Sequence, residues 1–98
     1  MTTLFPQKRR YRSHVDPVSR STKAFMEALA KVFLDERTKS GLSQTELAAK
    51  AGLSRPHVGY LETGERQPSV ESLKRLALAL GTTATDLVSR AEESLKKR

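Results

Sequence analysis

The 98-residue sequence contains no cysteine. Disulfide staples are excluded, and so is a metal site built on thiolates. Histidine is scarce as well: His14 and His57 lie far apart and show no metal-ligand spacing. The longest apolar run is 76–80, far short of the ~20 residues that span a bilayer. The N-terminus is charged but lacks an apolar block followed by a cleavage site, so no secretory signal is expected. Alternating apolar–polar runs and hairpin turns are missing, which argues against strands. There is no Ser/His/Asp or Cys/His set, no pair of carboxylates in a plausible cleft and no phosphate-cradling glycine loop. The expectation is a non-enzyme that needs no cofactor and no metal, cytoplasmic, without a membrane partner. Its length allows one domain with a modest core.

What is present is positive charge, and it is unevenly placed. The net charge is +7. Residues 1–23 hold six basic side chains against Asp16 alone, and residues 90–98 hold four against Glu92 and Glu93. The stretch 24–89 carries eight of each sign and is neutral. A neutral globule with basic ends suits a polyanionic partner, although a solvated tail carries the same signature.

Helical signals follow one another along the chain. Residues 1–20, with Pro6, Pro17 and scattered Ser and Arg, read as a flexible basic arm. A first helix is expected from about Ser21 or Thr22, with Phe25, Leu29, Val32 and Phe33 on one stripe, ending at Gly41. Ser43-Gln-Thr-Glu46 is a capping box that opens a second helix, with Leu47, Ala48 and Ala51 on its inner face and Gly52 at its end. Ser54 caps a third helix with Pro56 in its first turn; Val58 and Leu61 face inward and Gly64 stops it. Ser69 caps a fourth, whose stripe is Leu73, Leu76, Ala77 and Leu80, ending at Gly81. Thr82 or Thr83 opens a fifth with Leu87, Val88, Ala91 and Leu95 aligned. The fold class is all-α, with the helical domain over 21–98.

The break between the second and third helices is very short. Two helices joined so tightly must cross steeply, at roughly 90–120°, if both are to bury apolar faces. The crossing needs a turn residue with positive φ, supplied by Gly52, and a small contact residue, supplied by Ala48. Leu53, Val58 and Leu61 then return apolar surface to the second helix. This is a helix-turn-helix pattern.

The segments GLSQTELAAKAGLS, LETGERQPS and LKRLALALG resemble the lambda-repressor-like, Xre-type helix-turn-helix domains that include phage repressors and Cro proteins. The resemblance covers roughly residues 24–88. It implies a compact five-helix DNA-binding domain whose third helix, at about 54–62, enters the major groove. By the same resemblance, Gln44 at the start of the second helix touches the DNA backbone and braces a base-reading side chain. Arg55, Pro56 and Tyr60 occupy the outward positions of the recognition helix. Arg55 is suited to a guanine edge, Tyr60 to a base, a phosphate or a thymine methyl, and Pro56 only to apolar contact. Ser43, Ser54, His57, Thr63 and Arg66 fall beside the backbone, and Glu65 is expected to point away from it. Arg37 and Glu62 match a partly buried ion pair between the first and third helices. Gly59, on the outward side, is expected to let the helix sit closer to DNA.

Three features depart from the pattern or extend it. Glu36 stands where relatives are aliphatic, which questions the end of the first helix's inner face; Phe33 and Leu34 are the candidates to compensate. Arg9, Arg10 and Arg12 in the arm suit a narrow minor groove. Leu87, Val88, Ala91 and Leu95 offer more apolar surface than a small core needs, so a homodimer on a palindromic operator is expected through the fifth helix. The resulting expectation is a sequence-specific double-stranded DNA-binding transcriptional regulator, repressor or controller in type, nucleoid-associated in a prokaryote or phage, with RNA polymerase as a further partner if it activates. An antitoxin that binds both DNA and a toxin protein, and a protein-binding adaptor on the same fold, are the alternatives.

Overall fold

The computed structural model describes residues 16–96. These form five helices in chain order: α1 (Pro17–Lys39), α2 (Gln44–Ala51), α3 (Arg55–Thr63), α4 (Val70–Ala79) and α5 (Ala84–Lys96). Arg9, Arg10 and Arg12 lie outside the described residues. Among the described residues no helix is long and apolar enough to cross a membrane.

The first helix begins four residues before the position expected from sequence. Asp16 is its N-cap: its carboxylate accepts from the Val18 backbone N at 3.0 Å and from the Ser19 hydroxyl at 2.9 Å. Pro17, read from sequence as part of the arm, is instead the first helical residue, where its fixed φ helps and its missing N–H costs nothing. The other caps follow the sequence signals. Ser43 and Glu46 close the reciprocal capping box at 3.0 and 2.8 Å, Ser54 accepts from the His57 N at 3.2 Å, and Ser69 accepts from the Ser72 N at 2.9 Å. Thr83 rather than Thr82 caps α5, accepting from the Asp86 N at 2.9 Å.

One core joins all five helices. Leu29 and Phe33 of α1 meet Leu47, Ala48 and Ala51 of α2, Val58 and Leu61 of α3, Leu76 and Ala77 of α4, and Leu87 and Ala91 of α5. This corrects part of the dimerisation expectation. Leu87 and Ala91 are fully buried within the single chain and have no surface to offer a second copy; of the four residues in that expectation, Val88 and Leu95 stay partly exposed.

Glu36 is accommodated by charge rather than by apolar compensation. Its side chain is largely buried between α1 and α5, where it pairs with Arg90 and, at 3.5 Å, with Lys39. Arg90 also pairs with Asp86 at 2.9 Å. Leu34 points outward and is 38% exposed, so it does not fill the gap, whereas Phe33 is fully buried. The position holds a charge because α5 supplies the opposite one.

The turn between α2 and α3 is built as its sequence requires. Gly52 takes φ 71°, a left-handed conformation that costs an L-residue roughly 1–2 kcal/mol. The Leu53 N then donates to Ala48 O at 2.9 Å, closing the helix end. A side chain at this point would also meet α4: a Cβ on Gly52 would lie 2.6 Å from Arg75 Nη1.

Candidate nucleic-acid interface

The outer face of α3 and the start of α2 lie side by side. Gln44, Arg55, Pro56, Gly59, Tyr60, Thr63 and Glu65 line one shallow depression of about 240 Å³. The inner face of α3 is locked into the core through Val58 and Leu61, each 1% exposed. The helix therefore cannot roll, and its opposite side stays outward. Arg55 there makes no hydrogen bond or ion pair among the described residues, so its five donors are available. Tyr60 is 39% exposed.

A buried polar network sets the angle of this face. Arg37 Nε donates to Glu62 Oε2 at 2.6 Å and Arg37 Nη2 to Glu62 Oε1 at 3.1 Å. Arg37 Nη1 donates to Leu42 O at 2.9 Å, and Gln44 Nε2 donates to Glu62 Oε1 at 2.9 Å. The Glu62 side chain is 3% exposed and that of Arg37 16%. One carboxylate thus ties α1, α2 and α3 together through a two-pronged guanidinium contact, a geometry that gives direction as well as energy. The bond to Glu62 raises the Arg37 pKa further, so the guanidinium stays charged.

Beyond α3 the chain turns at Gly64 and returns along the helix. The Arg66 N donates to Tyr60 O at 3.2 Å, and the Arg66 guanidinium lies over the Tyr60 ring, 4.9 Å from its centre. The stack holds a cation beside the outward face. The Thr63 hydroxyl donates to Tyr60 O at 3.2 Å and accepts from the Glu65 N at 3.3 Å. That second bond draws Glu65 to the rim of the depression. Glu65 is thus among the residues that line the depression.

The family model described as "Helix-turn-helix" matches residues 34–87. The chain belongs to the helix-turn-helix family. It is of the lambda-repressor-like, Xre type, a DNA-binding regulator by family and not an enzyme. Over 58 residues it is 40% identical to an uncharacterised HTH-type transcriptional regulator, y4dJ, of Sinorhizobium fredii, covering 59% of this chain and 75% of that protein. Over 64 residues it is 38% identical to the control protein C.SmaI of Serratia marcescens, covering 65% and 76%. The crystal structure of the restriction-modification controller protein C.AhdI of Aeromonas hydrophila superposes with a TM-score of 0.61 at 35% identity, covering 64% of this chain and 94% of that one. In two other curated relatives the matched segment covers 57% and 58% of their length.

Within this helix-turn-helix domain the structure gathers Gln44, Arg55, Pro56, Tyr60, Thr63 and Arg66 on one side, together with Glu65. The Ser43 and Ser54 hydroxyls are occupied as caps, and His57 is half-buried. Two contacts were not foreseen. Arg75 of α4 donates from Nη1 to Ala51 O at 3.2 Å, while Nε and Nη2 grip Glu71 at 3.0 and 2.9 Å. It caps the C-terminus of α2 from another helix, beside the turn that aims α3. The Arg66–Tyr60 stack is the second. The first joins residues 24 apart in sequence, and the second depends on how the turn after α3 returns Arg66 to Tyr60.

Proposed function

We propose that this helix-turn-helix protein is a sequence-specific regulator of double-stranded DNA, repressor or controller in type, reading the major groove with α3. The observation that carries the reading is the outward, unpaired Arg55 beside Tyr60 on a helix fixed by the buried Arg37–Glu62–Gln44 network. A rigid helix with a free guanidinium suits a guanine edge, where two donors meet O6 and N7. Arg66 and the basic ends of the chain supply phosphate contacts, which position the protein without reading sequence. Likeness to two control proteins favours the controller type.

The protein acts as a homodimer on a palindromic operator, and the arm residues Arg9, Arg10 and Arg12 add minor-groove contacts. Removal of residues 1–15 then weakens binding and flattens its dependence on salt, since each phosphate contact adds about 0.9 to the slope. The cut must stop before Asp16, which caps α1. The decisive experiment is selection from random duplexes followed by footprinting. A recovered two-fold site, with guanine preference lost in Arg55→Ala, supports the reading. Equal binding to every duplex overturns it.

A further inference from the structure

The outward face of α3 has a gap at its centre. Gly59 is the only α3 residue on that face without a side chain, although glycine costs a helix about 1 kcal/mol relative to alanine. Its φ is not positive, so the backbone does not require glycine. What lies in front of it is the side chain of Gln44: a Cβ built on Gly59 would be 3.8 Å from Gln44 Nε2 and 3.9 Å from Gln44 Oε1. Those distances are ordinary contact, so a small residue would fit; it would cover the amide. The gap is the path by which an outside group reaches Gln44.

The amide is presented there in a fixed sense. The Glu62 carboxylate only accepts hydrogen bonds, and it already holds Arg37. Nε2, not Oε1, must therefore face Glu62, as the 2.9 Å contact has it. One Nε2 hydrogen is used; the other and the whole of Oε1 are left without a partner among the described residues. An acceptor and a donor side by side are the complement of the adenine edge in the major groove, which offers N6–H and N7.

We infer that Gln44 reads an adenine directly through the Gly59 gap, with Glu62 as the positioning residue that sets the polarity of its amide. The inference rests on α3 lying in the major groove, as proposed above. It makes Gln44 a specificity residue, where a backbone contact needs only its donor. Arg55, Pro56 and Tyr60 line the same depression.

The test uses the full chain and the duplex recovered by selection. Each adenine of the half-site is replaced in turn by 7-deazaadenine, which lacks the N7 acceptor. At one position the replacement weakens the wild-type protein by roughly five- to a hundredfold. At that position it leaves Gln44→Ala unaffected, and a fresh selection with Gln44→Ala loses adenine there and nowhere else. Gly59→Leu is the second variant: it fills the gap, leaves Gln44 intact and replaces the poorest ordinary helix former with a good one, and its melting midpoint by circular dichroism shows that it folds. It loses the same single preference. If Gln44→Ala weakens binding to all sequences alike, or 7-deazaadenine affects neither protein or both equally, Gln44 is a backbone or bracing residue and the inference is overturned. Failure of the regulator reading looks different: the wild-type protein then recovers no site from the pool.

Discussion

Glu62 bears more of the site than any residue that faces outward. It is the common acceptor for Arg37 and Gln44, and its side chain is 3% exposed. Removing one partner of a buried pair strands the other charge. Glu62→Ala is therefore expected to lower the unfolding free energy by roughly 3 kcal/mol, measured by urea denaturation. The Arg37 bond to Leu42 O and its partial exposure keep the loss from reaching the upper end of the usual range. Specific binding should fall further than stability explains, because both the tilt of α3 and the orientation of Gln44 are lost; a variant that selects the parental site unchanged would remove the network from the reading mechanism. The Arg37–Glu62 match could be read from sequence because it came with a recognisable motif. Gln44 as third member was not legible: the resemblance set it to brace a base-reading side chain, whereas its amide donates to Glu62.

Helix order and most boundaries follow from short-range signals, and these were legible. Ser43, Ser54 and Ser69 each cap the helix they precede. The exception is α1, where Asp16-Pro17 is itself a cap-and-first-residue signal outweighed by reading Pro17 as a breaker. Contacts between elements were less legible: the Glu36–Arg90 pair and the Arg75 cap on α2 join residues far apart in sequence. Two predictions belong at this scale. Gly52→Ala forces an L-residue to φ 71° and pushes against the flexible end of Arg75, so it should cost about 1–2 kcal/mol, mainly from backbone strain; an unchanged melting midpoint would show that the turn relaxes. The second concerns acid. The Ser19 hydroxyl holds the Asp16 carboxyl below its ordinary pKa, the Ser43 backbone N does the same for Glu46, and the Thr82 hydroxyl for Asp86. Groups with depressed folded values stabilise the fold above their unfolded values and lose that contribution as pH falls through the folded ones. The melting midpoint should thus hold near neutrality and fall as pH drops below the ordinary carboxylate values of 3.8 and 4.5. Asp16→Asn keeps a capping side chain that cannot titrate, and should show a shallower acid dependence by circular dichroism.

For the molecule as a whole, the question is how so small a reading surface gains affinity. One domain offers one α3, and the charge of +7 attracts any duplex without choosing among them. Pairing two copies turns the second half-site into an intramolecular encounter, which raises affinity by roughly a hundred- to ten-thousandfold with no new base contact. The burial of Leu87 and Ala91 in the monomer core narrows where that pairing can occur on α5 to Val88 and Leu95. Each lies on α5, which is held to α1 by the Glu36–Arg90 pair, so a partner docked there would be rigidly linked to α3 through the core. Val88→Asp and, separately, Leu95→Glu should shift the proposed dimer to monomer in sedimentation velocity. The same variants should bind a full palindrome about a hundredfold more weakly, while their affinity for an isolated half-site stays at the wild-type value. Loss at the half-site as well would mean the fold was damaged. Dimers that persist in both variants would place the interface elsewhere, with Leu78 of α4, 64% exposed, the next residue to change.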